Sequence, residues 1–189
     1  MRIISGSLKG QKINFLKNLN TRPLKDSVKE NIFNILKHSN LINVPIENSN
    51  ILDLYSGVGS FGLECISRGA KKVTFVEQDK NATNILIENL TKLSVTNKAL
   101  LINNKIEIFL EKNLNEKYNI LFLDPPFADK KFITIIDIIK RKKIYKTKHV
   151  VIIHREDKTE DGLENFINPI FTKQFSFYHI LSNCCFCGI

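Results

Sequence analysis

A glycine-spaced turn with an acidic residue just before it is the first feature of this sequence that could do chemistry. The apolar run that begins at Ile51 leads into the pattern Asp53-x-x-x-Gly57-x-Gly59. Glycine has no Cβ and adopts positive φ at little cost, so such a turn can present bare backbone to a ligand. Because the carboxylate would repel a pyrophosphate, a cationic or zwitterionic molecule with hydroxyl groups suits the turn better than a dinucleotide. An ordinary surface turn is the alternative.

A second acidic residue, Glu77, ends the next apolar run at residues 72–76 and lies 20 residues beyond Gly57. One strand–helix–strand unit needs about that spacing, and an acid at the tip of its second strand accepts hydrogen bonds from ribose hydroxyls. The spacing therefore predicts that Glu77 is a ribose acceptor. A solvated strand end is the other interpretation.

The third motif is the tetrapeptide Asp124-Pro125-Pro126-Phe127, which directly follows the apolar run at residues 120–123. Neither proline has an N–H to donate, so the strand must end there. The prolines also fix the backbone, which holds the Asp124 side chain and the neighbouring carbonyls in one stiff arrangement. Two prolines as simple loop residues are common, but this tetrapeptide after the first two motifs is much less so.

Together these features resemble a class I S-adenosylmethionine-dependent methyltransferase that acts on an exocyclic amino group. The flanking sequence is similar to the RsmD family, bacterial enzymes that methylate N2 of guanine 966 in 16S rRNA. The similarity runs from Arg2 to about Ile153 and is carried by Arg2-Ile3-Ile4-Ser5-Gly6, Lys9-Gly10, Arg22-Pro23, Val28-Lys29-Glu30, Phe33-Asn34-Ile35-Leu36, Gly62-Leu63-Glu64 and Ser67-Arg68-Gly69-Ala70.

The elements that must position these motifs alternate between strand and helix, which predicts a parallel sheet with helices on both faces. The resemblance implies a Rossmann-like α/β fold with a mostly parallel seven-stranded sheet, an antiparallel C-terminal edge, and an N-terminal β-hairpin and helix. We expect the hairpin at residues 2–8 and 11–15 around Lys9-Gly10, and the helix from Asp26 or Ser27 to about His38. Further helices are expected at residues 81–93 and 130–140, and strands at 99–102, 118–124, 150–153, 171–180 and 184–189, with Ser182-Asn183 as the last turn.

The resemblance also implies residue roles and a cofactor, S-adenosylmethionine, with no metal. The Asp124 carboxylate and the Pro125 carbonyl would accept the hydrogens of the target amino group as positive charge grows on its nitrogen, and Phe127 would stack on the base. Lys105 stands where an acid is expected against the adenine amino group, so Asn104 or a backbone carbonyl takes that role. The catalytic set is then Asp124, Pro125, Pro126 and Phe127, and the cofactor set is Asp53, Tyr55, Ser56, Gly57, Gly59, Glu77, Gln78 and Asn104.

The charge balance points to an acidic partner, because the chain carries a formal net charge of +9 and has a pI near 9.4. Some of the lysine excess can reflect codon bias, and a solvated charged face is the alternative for any single lysine. Location is therefore more informative than the total, and the basic N-terminal arm is expected to contact phosphates. The expected RNA-binding residues are Arg2, Lys9, Lys12, Arg22 and Lys25. By resemblance, the partner is 16S rRNA, within a 30S subunit or assembly particle, and the protein acts as a monomer.

The length of 189 residues suits one methyltransferase domain, with an N-terminal extension at residues 1–40 and a catalytic core at 50–189. We expect a cytoplasmic protein, because the sequence has neither a secretory leader nor an apolar segment long enough to span a bilayer. Cys184, Cys185 and Cys187 invite a zinc interpretation, but adjacent strand residues point to opposite faces, so buried thiols are favoured. His154 follows a buried strand and is expected to be a polar strand end, with a catalytic histidine as the alternative.

Two other classes of function stay open from the sequence. Related tetrapeptides serve methyl transfer to adenine N6, cytosine N4 and glutamine N5, and the motif alone does not separate these targets. A non-catalytic RNA-binding module on the same fold is the second possibility, although the acidic residues at positions 53, 77 and 124 argue against it.

Overall fold

The computed structural model describes residues 1–16, 24–112, 115–126, 129, 131–154, 171–172 and 178–182, the last two ranges as backbone only. Helices α1 to α5 span Asp26–His38, Ser60–Ser67, Lys80–Lys92, Ile106–Lys112 and Phe132–Lys142. Strands β1 to β7 span Asn50–Leu54, Lys72–Glu77, Ala99–Asn103, Tyr118–Leu123, Tyr145–His154, Phe171–Thr172 and Tyr178–Ser182. Within this part of the chain, the helices are too short or too polar to cross a membrane.

The strands form one sheet in the order β3-β2-β1-β4-β5-β7-β6. Strands β1 to β5 run parallel, and β7 pairs antiparallel with both β5 and β6. Strand order reverses between β1 and β4, which is the place where ligands bind in open α/β sheets. The expectation of an α/β fold on a mostly parallel sheet is confirmed, as is the pairing of the strands that carry the glycine turn and the double proline.

Successive side chains along each strand point to opposite faces of the sheet, and they form two apolar cores, one on each face. Ile51 of β1 packs with α1, α2 and α3, whose inward residues include Phe33, Phe61 and Leu86. Its neighbour Leu52 belongs to the opposite core, which α4 and α5 cover. The central strands are buried on both faces, as expected for parallel strands between two helix layers. This double cover leaves the rim at the strands' carboxyl ends as the place where polar groups can gather.

The N-terminal hairpin is shorter than the sequence indicated. Arg2 pairs with Lys12 in a single antiparallel bridge, flanked by a hydrogen bond from the Ile3 N–H to the Gln11 carbonyl at 3.0 Å. The residues after Ile3 do not continue the ladder, because the N–H groups of Ile4 and Ser5 donate to the carboxylate of Glu64 on α2. The expected strands at residues 2–8 and 11–15 are therefore wrong in length, since α2 supplies the acceptors.

Three other element expectations need correction. Ser182 pairs with Val150 inside β7, so the turn predicted at Ser182-Asn183 is wrong. Strand β5 begins at Tyr145 rather than at residue 150, because its first residue pairs with Tyr118 before an irregularity in the register. The helix α4 was missed, being only 7 residues long. The strand expected at residues 184–189, with its three cysteines, lies outside the described residues.

Candidate active site

The register of the sheet brings polar residues together at one rim. Leu54 pairs with Val76 and with Leu123, and Leu123 pairs with Ile153. The residues that follow these in the chain form one row across the carboxyl ends of four adjacent strands: Glu77, Tyr55, Asp124 and His154. Three motifs that are far apart in the sequence therefore meet in one place.

The glycine turn adopts the backbone conformation that the sequence predicted. Gly57 has φ of 53° and Gly59 has φ of 87°, and Tyr55 also takes a positive φ, 59°. A Cβ on Gly59 would collide with the side chain of Leu86, so this glycine lets α3 approach the turn. A Cβ on Gly57 would meet no atom within 4 Å. The backbone beside Gly57 is therefore open to a ligand.

Asp53 lies beneath the turn rather than at its surface. Its side chain is buried, and one carboxylate oxygen accepts the N–H of Gly62 at 2.9 Å, at the first turn of α2. Burial raises the pKa of the Asp53 carboxyl well above its usual value, and the nearby carboxylates of Asp124 and Glu77 add to the rise. Asp53 thus holds the helix N-terminus in place and couples β1 to the turn.

Glu77 uses both carboxylate oxygens to order the loops around it. One oxygen accepts the N–H of Gly57 and the other accepts the N–H of Asp79, each at 2.8 Å. Asp79 in turn caps α3 by accepting the N–H of Asn81 at 2.8 Å. Glu77 is half-buried, so its carboxylate joins the glycine turn to the start of α3 while part of it faces solvent.

Two serine hydroxyls in the glycine turn have an unusual environment. Ser56 and Ser60 are 8% and 7% exposed, and among the described residues neither hydroxyl has a hydrogen-bond partner. Buried hydroxyls are normally hydrogen-bonded, so unsatisfied ones beside the open backbone of Gly57 suit a polar ligand. The sequence pattern pointed to Ser56 but missed Ser60, because Ser60 lies after the second glycine and opens the helix.

The residues expected beyond β2 and β3 lie at the same rim. Gln78 is exposed, and Asn104 is half-buried. The Asn104 side-chain oxygen accepts the N–H of Lys105 at 2.8 Å. The backbone N–H of Asn104 donates to the Glu77 carbonyl. Asn103, which was not selected from the sequence, donates from its amide to the Glu77 carbonyl and to the Thr83 hydroxyl. These bonds tie the tip of β3 to β2.

Asp124 follows β4 and continues the pairing with β1 through its N–H, which donates to the Leu54 carbonyl at 3.4 Å. One oxygen of its carboxylate lies 2.7 Å from Nδ1 of His154. The sequence favoured a polar strand end for His154. The structure shows in addition that its side chain contacts Asp124, the acidic residue of the proline motif. Pro125 is buried and Pro126 is exposed, with its carbonyl accepting the Asp129 N–H. Phe127 lies outside the described residues.

A hydrogen bond joins the loop after β4 to the glycine turn. The Tyr55 hydroxyl donates to the Asp129 carboxylate at 3.2 Å, and the other oxygen of that carboxylate accepts the Lys131 N–H just before α5. Tyr55 belongs to the cofactor set expected from the sequence, whereas Asp129 lies outside that set. The two loops are therefore in direct contact at the rim.

The basic N-terminal segment lies next to the glycine turn. Arg2, Lys9, Lys12 and Lys25 are exposed, and Arg22 lies outside the described residues. The buried side chain of Asn89 makes the connection: its amide donates to the carbonyls of Asn14 and Val58, each at 3.1 Å, and its oxygen accepts the Asn14 N–H at 2.8 Å. One α3 residue thus holds both the basic segment and the turn.

Comparison with known proteins agrees with this geometry. The family described as Conserved hypothetical protein 95 matches residues 1–172. The Ribosomal RNA small subunit methyltransferase D of Buchnera aphidicola subsp. Acyrthosiphon pisum is 34% identical over 156 residues, which are 82% of this chain and 78% of that protein. The chain belongs to the RsmD family. The family member of the same name from Haemophilus influenzae is 41% identical over 129 residues, and the match spans 64% of its length.

Solved structures support the same assignment of this RsmD family member. A structure named "Putative methyltransferase yhhF from Escherichia coli" superposes with a TM-score of 0.79 at 26% identity, covering 96% of this chain and 97% of that one. A second, titled "Crystal structure of putative methylase HI0767 from Haemophilus influenzae", superposes with a TM-score of 0.77 at 30% identity, covering 96% of this chain and 97% of that one. The Rossmann-like methyltransferase fold implied by the resemblance is confirmed.

Proposed function

We propose that this protein transfers a methyl group from S-adenosylmethionine to the exocyclic N2 amino group of a guanine in 16S rRNA. One observation carries the proposal: the carboxylate of Asp124 and the glycine turn lie side by side at one rim of the sheet, linked by the Asp124 N–H to Leu54 and by Tyr55 to Asp129. A methyl donor and an amino acceptor must meet within reach of each other, and this rim can hold both. The names of the family relatives support rRNA as the substrate.

The residues around the turn fit the cofactor. The open backbone at Gly57 leaves room, and the unsatisfied hydroxyls of Ser56 and Ser60 can bind its polar groups. Glu77 already accepts one backbone N–H on each oxygen, and carboxylate oxygens have further lone pairs for ribose hydroxyls. When bound, S-adenosylmethionine supplies an electrophilic methyl group. The chain's own contribution on this side is to bind and orient it.

On the other side of the rim, Asp124 acts on the nucleophile. The lone pair of a guanine amino nitrogen is delocalised into the ring, and it becomes available as the group pyramidalises. The Asp124 carboxylate and the Pro125 carbonyl are the acceptors we assign to its two hydrogens, so the positive charge that grows on nitrogen meets fixed negative ends. After transfer the nitrogen is a methylated, positively charged ammonium, which is acidic enough to release one proton to the carboxylate or to water, so Asp124 need not be a strong base.

The basic N-terminal segment supplies the RNA contact in this proposal. It forms a groove whose lining includes Arg2 and Lys12, together with Lys92 from α3 and the ring of Phe15, which is 42% exposed. Asp26 also lines this groove and lies 3.8 Å from the Arg2 guanidinium, so among the described lining residues Lys12 and Lys92 are the cations that this carboxylate does not pair with. Cationic side chains beside an exposed ring suit an unpaired RNA strand, because phosphates bind the charges and bases stack on the ring. The groove is held next to the glycine turn by Asn89. RNA bound there would lie beside the glycine turn.

The direct test uses labelled S-adenosylmethionine and 30S particles that lack the modification. We expect label in 16S rRNA, and mapping the labelled nucleotide to a guanine N2 would support the target. Label on an adenine or cytosine would retain the methyltransferase and overturn the guanine assignment. Cofactor binding by calorimetry, with no label in any RNA or protein acceptor, would overturn the proposed activity.

Asp124→Ala separates chemistry from binding. We expect turnover to fall by at least about a hundredfold, the scale of losing a fixed group that stabilises developing charge. Affinity for S-adenosylmethionine should stay within a few-fold, because the cofactor is assigned to the glycine turn. Asp137→Ala, at an exposed position on α5, is the control. Lost cofactor binding with normal single-turnover chemistry would contradict this division of roles.

A further inference from the structure

The contact between His154 and Asp124 has no counterpart in the motifs that led to the proposed function. His154 is the last residue of β5, and the residue before it, Ile153, pairs with Leu123 directly before Asp124. The sheet therefore fixes both backbones in register. The side chains are 16% and 25% exposed, and Nδ1 of His154 lies 2.7 Å from Oδ1 of Asp124. Two fixed strand ends thus hold a short polar contact at the rim.

The chemistry of the pair determines the direction of this hydrogen bond. An ionised carboxylate has only acceptor oxygens, so Nδ1 must carry the proton that is shared with Asp124. The proton stays on Nδ1 whether the imidazole is neutral or charged, since the bond made by one ring nitrogen sets its protonation. His154 is thus a donor to Oδ1, and it has no lone pair on Nδ1 with which to remove a proton from a substrate.

We propose that His154 is a positioning residue: its Nδ1–H holds Oδ1 of Asp124 so that the second carboxylate oxygen, Oδ2, faces the target amino group. The inference rests on the proposed function and deepens it. Among the described residues, His154 is the side chain that donates to this carboxylate. Without that donor, the carboxylate could rotate about its side-chain bonds, and only a fraction of its orientations would place an oxygen against the amino group.

The geometry also explains why a histidine suits this position. An ammonium or guanidinium group at the end of β5 would place a permanent positive charge beside Asp124 and would oppose the positive charge that develops on the nitrogen. An imidazole provides the directional N–H without carrying a permanent charge. It also keeps the carboxylate available as a negative end for the transition state.

The test compares two substitutions at this position. His154→Asn keeps a neutral N–H donor near the place of Nδ1, whereas His154→Leu removes the donor and keeps a bulky side chain. We expect His154→Asn to retain kcat within about threefold and His154→Leu to lose about tenfold or more, the scale of a hydrogen bond to a charged group. The RNA KM and the Kd for S-adenosylmethionine should change by less than about threefold in both, because the variants act after binding.

A second readout does not depend on activity. Nitrogen-15 NMR of the histidine side chains should show the Nδ1–H tautomer for neutral His154 in the wild-type protein, and Asp124→Ala should shift it toward Nε2–H. Equal kcat for His154→Leu and wild type, or an equal loss in both His154 variants, would overturn the inference. So would an Nε2–H tautomer in the wild type. This spectrum decides the matter if His154→Leu fails to fold.

The two proposals fail in distinguishable ways. A wild-type protein that transfers no methyl group to any RNA would contradict the proposed function, whatever the histidine spectrum shows. An active wild type with His154→Leu unchanged would retain the function and reject the role of His154.

Discussion

Asp53 is the acidic residue of the glycine motif, yet its carboxylate is buried beneath the turn. It accepts the Gly62 N–H, which would otherwise be an unsatisfied donor at the start of α2. Gly62 itself packs so closely on Phe75 and Val73 that a Cβ there would collide with both. The buried acid and the helical glycine therefore both hold α2 against the sheet, and they fix the helix start that the open backbone of the turn precedes.

The burial of Asp53 predicts a stability that depends on pH. The unfolded side chain ionises near 3.8, and burial raises its pKa in the folded protein. The folded state then binds more protons than the unfolded state above that pH, so this group's contribution to stability falls as pH rises, by up to about 1.4 kcal/mol per pH unit. An asparagine at this position would keep an acceptor for Gly62 without the charge. We expect the free energy of unfolding of Asp53→Asn, relative to wild type, to increase from pH 4 to pH 8.

Urea unfolding at several pH values measures this difference. Asp137→Asn is the control, because Asp137 is exposed on α5. A difference between Asp53→Asn and wild type that stays flat over this range would show that the folded protein does not penalise the ionised carboxylate.

Backbone conformation was predictable from the sequence where a motif fixes it, as it does at Gly57 and Gly59. Side-chain contacts were not predictable where they depend on the register between distant strands. The contact of His154 with Asp124 requires β5 to lie beside β4 with Ile153 opposite Leu123, and the spacing in the sequence carries no such information. The buried hydroxyl of Ser60 was missed for a similar reason, since burial of a helix's first residue depends on what packs over it.

The N-terminal segment shows how a short sequence motif can specify the docking of one part of the chain on a helix. Ile4 and Ser5 donate their N–H groups to the Glu64 carboxylate at 2.7 and 3.0 Å, and Ser7 donates to the Ser67 carbonyl at 2.8 Å. Gly6 lies between these bonds, where the chain passes closest to the end of α2. The run Arg2-Ile3-Ile4-Ser5-Gly6 is therefore explained by contact with α2 rather than by pairing with a second strand.

Gly6→Ala tests this docking, and Gly10→Ala is a closely matched control. Both glycines have φ of 84°, so both substitutions carry the left-handed strain of about 1–2 kcal/mol. A Cβ on Gly6 would collide with the Ser67 backbone, whereas one on Gly10 meets nothing within 4 Å. We expect Gly6→Ala to destabilise the protein by about 2–4 kcal/mol and Gly10→Ala by about half as much, measured by denaturant unfolding. Equal losses would show that the close approach to α2 does not matter.

The type of an element could be predicted from its hydrophobic periodicity where the burial of an apolar stripe alone determines whether a helix or a strand forms. The helix expected from Asp26 to His38 has those bounds, because its apolar stripe packs on the sheet through Val28, Ile32 and Leu36. The hairpin was predicted from weak alternation, and there the acceptors of Glu64 and Ser67 compete successfully with strand pairing. A local pattern does not reveal an acceptor that lies 60 residues away.

For the whole molecule, net charge is less informative than where the charges lie. Lys29 belongs to the basic N-terminal region by sequence, but it is fully buried, donates to the Arg2 carbonyl at 2.9 Å and pairs with Asp26 at 3.3 Å. It stabilises the junction of the segment with α1 and is not a phosphate contact. Arg2 and Lys12 are exposed and line the same groove as Asn14, which Asn89 holds beside the glycine turn. Lys9 lies at the far end of α2, because the N–H of the preceding Leu8 donates to the Ser67 hydroxyl at 2.9 Å. Arg2 and Lys12 are therefore the charges that the proposed function assigns to RNA near the rim.

The salt dependence of RNA binding tests this placement. Each cationic side chain that binds a phosphate releases counterions, so removing two of them should make the slope of log K against log salt less negative by about 1–2. We therefore expect this change for Arg2→Gln combined with Lys12→Gln, with binding to the rRNA substrate measured between about 50 and 200 mM salt. Lys148→Gln is the control, because Lys148 is exposed near the amino end of the paired part of β5, at the opposite rim of the sheet. If all three cationic side chains affected the slope equally per charge, binding would depend on total charge alone, and the segment beside the turn would have no special part in bringing RNA to Asp124.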